Sequence, residues 1–235
     1  MGYTHYWYVK PELDKEKFIK IVNDFKKVLP VFEQLGIKLA DGMGKDKPEI
    51  NYEVIRFNGL TNCGHNKRDL GIAWADKNAE GLVSISKEEK YTDEKLNPIM
   101  NGNIATVMIG NPLEWAKHSD VSEVWFAGAS LKGRVCDGDC SHETFTLEQK
   151  INYEDYNGNL GYKQYKLGLL KKYNGFDFNF CKTAFKPYDL AVNVIMIIAK
   201  HHLGNDIRIR SDGTEENWKM GKVLCQKILG YGLDF

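Results

Sequence analysis

Phe176, Phe178 and Phe180 alternate with Asp177, Asn179 and Cys181, the period of a strand with one buried face and one more polar face. The phenylalanine face is the one expected to be covered. Soon after it, Leu190 to Ala199 is apolar at every position but Asn193, so a helix there has almost no solvent-facing side and belongs in the middle of the molecule. A run of this length is too short for a lipid bilayer, which needs about 20 residues. Pro187 suits the first turn of that helix and Gly204 its end. Beyond it Ile207 and Ile209 alternate with Arg208 and Arg210, and Asp212-Gly213 turns into a last helix capped by Thr214. Glu215 and Glu216 suit that helix's dipole, and Trp218, Leu224, Cys225 and Ile228 form its inward stripe. Two strands joined by so long a helix are most simply parallel neighbours or near neighbours, with a right-handed crossover.

The same reading covers the first quarter of the chain. Tyr3, His5, Trp7 and Val9 alternate with Thr4, Tyr6 and Tyr8, an aromatic strand ended by Pro11. Asp14 then caps a helix whose Phe18, Ile21, Val22, Phe25, Val28, Leu29 and Phe32 recur three or four apart, with Lys15, Lys20, Asp24 and Lys27 opposite. Pro30 is expected to kink or restart it, and Gly36 to end it. Ile37 to Ala40 and Ile50 to Phe57 read as strands, the second stopped by the Asn58-Gly59 turn dipeptide.

From about residue 60 to 135 the pattern loosens into short β-like runs at Leu70 to Trp74, Leu82 to Ser86, Ile104 to Ile109 and Val124 to Phe126. This is read as a β-rich, loop-rich insertion. Leu131 to Cys136 and Cys140 to Leu147 flank Asp137-Gly138-Asp139, a hairpin signal, and Tyr162 to Tyr173 has room for a short helix. The expected whole is one α+β domain over residues 1–235. It combines a mixed β-sheet with an N-terminal amphipathic helix, a buried C-terminal crossover helix and a final amphipathic helix.

Composition narrows the function classes. Thirty-two basic residues balance thirty-two acidic ones, which removes the bulk attraction that drives binding to extended nucleic acid while leaving room for a local basic patch. Hydrophobic content of 43% excludes a disordered chain. Met1 to His5 lacks both a basic start and an apolar run, so no secretory signal is visible and a cytoplasmic protein without a membrane partner is expected. Five cysteines, an odd number without regular spacing, favour reduced thiols, with Cys181 and Cys225 as small core residues.

Three clusters carry candidate chemistry. Cys136, Cys140 and His142 form a C-x3-C-x-H group, and Cys63 with His65 a C-x-H half-group, both of the ligand types that hold zinc. Against metal stand two other readings, thiols that meet across a turn and a cross-strand disulfide, so the expectation is no cofactor, with zinc as the alternative. His5 shares a strand face with Tyr3 and Trp7, and His142 stands beside Glu143, residue types suited to proton transfer. Adjacent strand residues face opposite ways, however, and a polar side chain satisfying a backbone group at a sheet edge is the plainer account. The loop from Cys181 to Asp189 leaves a strand and enters the buried helix at its N-terminus, where amides and dipole favour an anion and Lys182 and Lys186 are at hand. Capping by Tyr188 or Asp189, with both lysines solvated, competes with that reading on equal terms. The sequence holds no glycine-rich phosphate loop, H-E-x-x-H or nucleophile elbow.

Gly2-Tyr3-Thr4-His5-Tyr6-Trp7, His142-Glu143-Thr144-Phe145, Cys181-Lys182-Thr183-Ala184 with Lys186-Pro187-Tyr188-Asp189, and Ser211-Asp212-Gly213 resemble motifs of a group of bacterial and phage proteins. That group has no assigned activity, so the resemblance implies a shared single-domain fold and no reaction. It draws attention to His5, His142, Lys182, Tyr188 and Asp189, which lie inside the motifs, as one polar pocket. With Lys186 these form the expected ligand site. The leading expectation is a non-catalytic binder of a small anionic, nucleotide-like ligand, of phage or mobile-element type. The alternatives are a metal-assisted hydrolase using His5 or His142 with Glu143, and a structural or partner-binding protein presenting Trp74, Trp115 and Trp125.

Overall fold

The computed structural model describes residues 3–34, 37–63, 73–75, 82–84, 125–126, 129–130, 134, 138–153 and 160–235. In chain order these form β1 (Thr4–Val9), α1 (Lys15–Gln34), β2 (Leu39–Ala40), β3 (Glu49–Ile50) and β4 (Val54–Gly59). Four short strands follow, β5 (Ala73–Ala75), β6 (Leu82–Ser84), β7 (Trp125–Phe126) and β8 (Ala129–Ser130). The chain then runs through β9 (Phe145–Glu148), α2 (Leu160–Lys172), β10 (Asp177–Lys182), α3 (Asp189–Leu203), β11 (Ile207–Ser211) and α4 (Glu215–Leu229). The architecture is α+β, with the expected first, buried and last helices.

β1 is the centre of a three-stranded sheet, with β10 on one side and β11 on the other. β10 and β11 run parallel to each other, as the crossover through α3 requires. β1 lies between them and antiparallel to both, so both ladders of this sheet are antiparallel rather than mixed. Registers of His5 with Cys181 and Ser211, and of Trp7 with Asn179 and Ile209, fix which side chains share a face. His5, Trp7, Val9, Asp177, Cys181 and Ile207 point to the core and are buried. Tyr6, Tyr8, Phe178, Phe180, Arg208 and Arg210 are on the outside.

This inverts the expected facing of β10. Asp177 is fully buried, whereas Phe180 is 52% exposed. The carboxylate tolerates the interior because Lys166 of α2 donates to both its oxygens at 2.8 and 3.1 Å, and Asn179 donates to it at 2.7 Å. A buried ion is admitted when its partners come with it.

α3 lies between α1 and α4, and Leu190 through Ala199 are all buried, Asn193 included. α1 presents the expected stripe of Phe18, Ile21, Val22, Phe25, Val28 and Phe32 to the core, and the Lys17 amide donates to its cap Asp14 at 2.9 Å. The helix runs on through exposed Pro30 to Gln34 rather than restarting. At the far end, Asp24 of α1 accepts from His202 of α3 at 2.8 Å and from the Tyr231 hydroxyl at 2.9 Å.

The second sheet is built around β4, which pairs with β2, β3 and β9. The expected strand from Ile50 to Phe57 is divided, because the Asn51 side chain accepts from the Glu53 and Val54 amides at 2.8 and 2.9 Å and closes a turn. Asn58-Gly59 lies inside β4, not in a turn. Of the hairpin expected at Leu131 to Leu147, the second arm pairs instead with β4, Phe145 opposite Phe57, and the first arm lies outside the described residues apart from Arg134. Ile104 to Ile109 and Gly36 also lie outside them. Trp7, Phe145, Phe57 and Phe25 carry the core from the first sheet through the second to α1, with ring centroids 4.9 to 5.5 Å apart.

The outer strands have side chains on their free backbone groups. Along β10, Lys166 donates to the Phe178 carbonyl at 3.2 Å, and Glu143 accepts from the Lys182 amide at 2.6 Å. Along β11, Lys200 donates to the Ile207 carbonyl at 3.3 Å. Among the described residues no helix is long and apolar enough to cross a membrane.

Candidate functional site

The residues nominated by the sequence gather around the start of α3. Asp189 is fully buried and both oxygens of its carboxylate are hydrogen-bonded. Oδ1 accepts from His5 Nε2 at 2.7 Å and from the Thr183 hydroxyl at 2.6 Å. Oδ2 accepts from Arg134 Nε at 2.9 Å, with the Nη2 of the same ion pair 2.8 Å away. Burial pushes the carboxyl pKa up, but the Arg134 guanidinium and the His5 bond outweigh it and hold Asp189 below the usual carboxylate range. Arg134 also donates to the Asn217 carbonyl at 3.2 Å, which Asn193 Nδ2 shares at 3.1 Å. The network therefore binds β1, residue 134, α3 and α4 at one point.

This arrangement removes the anion site expected at the helix N-terminus. The amides of Asp189, Leu190 and Ala191 donate to the carbonyls of Lys186, Pro187 and Tyr188, so they are already used within the chain. Tyr188 is also internal. Its hydroxyl donates to the Glu143 carbonyl at 2.6 Å, and burial raises its pKa far above that of a free phenol. Lys186 donates to the Asp139 carbonyl at 2.7 Å. His142 is exposed, held by backbone bonds to the Asn58 side chain at 2.9 and 3.0 Å. The six residues do not form one pocket: His5, Tyr188 and Asp189 are interior, while His142 faces solvent and Lys182 and Lys186 lie nearer the surface.

Acid–base chemistry by His5 is poorly served here, because both His5 and Asp189 are 0% exposed. Glu143 clamps the Lys182 amide at the edge of β10, the edge-satisfying role that competed with proton transfer. Cys136 lies outside the described residues, and Cys140 packs beside Cys63 and Leu60. No group of three or more metal-binding side chains occurs among the described residues.

What the structure adds is the outer face of the first sheet. Tyr6 lies between Phe180 and Arg210, and Tyr8 between Phe178 and Arg208. Strand alternation places Lys182 on the same face. Phe178 stacks with Tyr6 at 6.3 Å and Phe180 at 6.0 Å, and packs tilted on Tyr8 at 5.2 Å. Tyr173, just past α2, closes one end with its ring 4.9 Å from Tyr8. Arg208 sits 4.2 Å above the Phe176 ring. Asp212 at the other end accepts from the Tyr6 hydroxyl at 3.4 Å. The result is a row of aromatic faces with cations along its margins. Both alternations, Tyr6 with Tyr8 and Arg208 with Arg210, were visible in the sequence, but only the register sets them side by side.

No protein-family model, curated protein or solved structure matches the chain.

Proposed function

We propose that the protein is a non-catalytic nucleotide-binding module that takes a short single-stranded segment, about two or three bases, across the outer face of β10, β1 and β11. The observation that carries this reading is the rank of Tyr6, Tyr8, Phe178 and Phe180 on one sheet face beside Arg208, Arg210 and Lys182. Each aromatic face offers a stacking surface worth about 1–3 kcal/mol per base, and the cations stand where phosphates would follow. Overall neutrality keeps non-specific attraction small, so the footprint is local rather than a long polyanion track. A nucleotide-like ligand was expected from the sequence; the surface, not the α3 start, is the place that suits it.

Fluorescence anisotropy with a labelled short oligothymidylate tests the proposal. Phe180→Ala should weaken binding about fivefold or more, since one stacking contact is lost. Arg208→Ala and Arg210→Ala should weaken it and flatten its salt dependence. All three positions are on the surface, so thermal midpoints should stay near wild type. Absence of binding at low salt, or affinities indifferent to all three substitutions, refutes the proposal and leaves a protein partner for this face.

A further inference from the structure

Between the inner side of the first sheet and the second sheet lies a cleft of about 450 Å³. Of the outer-face aromatics it is lined by Phe180, and its volume falls within the range of small-molecule sites, about 300–1,000 Å³. Trp7 forms part of its lining and is only 2% exposed. The Trp7 indole Nε1 is buried and has no hydrogen-bond partner among the described residues, and the Tyr153 hydroxyl, on the same lining, is buried beside the Asp177 carboxylate. An indole nitrogen only donates, so what it lacks is an acceptor atom. Burial, together with the Asp177 and Glu148 carboxylates, pushes the Tyr153 pKa up, which keeps this hydroxyl protonated and able to donate.

The charged groups around the cleft are largely engaged, Arg56 by Glu49 at 2.9 Å just outside it. Lys166 holds Asp177 at 2.8 Å, and Arg56 lies 3.6 Å from Glu148. The Asp41 carboxylate accepts from the Lys45 and Asp46 amides at 2.8 and 3.2 Å. Such a wall presents little net field to attract an ion, yet it offers both donors and acceptors at short range. A ligand suited to this lining gives and takes hydrogen bonds in several directions, which is the property of clustered hydroxyl groups.

We propose that this cleft binds a small neutral polyhydroxylated molecule of the sugar class, whose oxygens accept from the Trp7 indole N–H and the Tyr153 hydroxyl. The donors it uses, Trp7 and Tyr153, take no part in the sheet-face reading.

Proton–nitrogen correlation spectra of the full chain labelled with nitrogen-15 read the Trp7 indole N–H directly, with the resonance assigned by Trp7→Phe. Should that variant fail to fold, phenylalanine substitutions at Trp74, Trp115, Trp125 and Trp218 assign it by elimination. Titrations with glucose, N-acetylglucosamine and maltose, each beside inorganic phosphate and acetate, form the panel. At least one sugar should move the Trp7 resonance to saturation, and Tyr153→Phe should weaken that titration about tenfold by removing one hydrogen bond. A resonance that no sugar moves overturns the proposal. So does one that only phosphate or acetate moves, and so does a sugar titration that Tyr153→Phe leaves unchanged.

Discussion

Asp189 concentrates the residue-scale physics of this protein. A carboxylate with no exposed surface stays ionised because Arg134, His5 and Thr183 surround it, and losing one charged partner strands the other. Arg134→Ala should therefore lower unfolding free energy by about 3–5 kcal/mol, measured by urea denaturation at neutral pH. The same carboxylate sets an acid limit. Its folded pKa is depressed, so between that value and the unfolded value of about 3.9 the unfolded chain binds more protons. The stability it contributes is present above the unfolded value and is lost as pH falls through the folded one. Acid titration of stability should be shallower below pH of about 4 in Asp189→Asn than in wild type, after allowing for the variant's lower starting stability. His5 and Asp189 were legible as polar residues of interest in a greasy setting. Arg134 was not, because it stands 55 positions before Asp189 in a stretch whose pattern marks no buried cation. Lys166 is likewise unmarked by any pattern in the sequence, and the inward facing of Asp177 depends on it.

At the scale of elements, long periodic segments were readable and short ones were not. The stripe of α1, the run of α3 that is apolar but for Asn193, and the stripe of α4 are each long enough to define a face, and the structure has all three. β10 faces the other way from the one expected, because alternation identifies two faces without saying which is inside; the structure buries Asp177, paired with Lys166, and Cys181. The strand after Ile50 was split by a single asparagine side chain. The junction between β11 and α4 gives an element-scale test. A β-carbon on Gly213 would lie 2.3 Å from the Tyr3 hydroxyl, and the Tyr3 ring is buried and stacked on Phe185 at 3.7 Å, so it has no room to withdraw. Gly213→Ala should destabilise by about 1–3 kcal/mol, seen as a lower thermal midpoint.

For the whole molecule, the α+β class followed from the sequence, whereas the single polar pocket did not. Its members were judged from loops and ends, and the fold sends some inward and others to solvent. The sheets around β1 and β4, with α1, α3 and α4, contribute to one apolar cluster that includes Trp7, Phe57, Phe145 and Ile195. Unfolding should accordingly be a single transition in which near-ultraviolet and far-ultraviolet circular dichroism coincide. Ile195→Ala in α3 and Phe57→Ala in β4 should each displace that one transition, by about 2–5 kcal/mol, without dividing it. Two separable steps would show that the second sheet folds on its own.

The lysine that reaches the Ile207 carbonyl has a meaning beyond one hydrogen bond. A narrow sheet with bare flanks invites copies of itself to join on, strand after strand, until a fibre grows. Lys200 places a hydrated cation where the next chain would have to begin. Lys200→Met should expose that margin and turn a dispersed protein into one whose light scattering climbs with concentration and time.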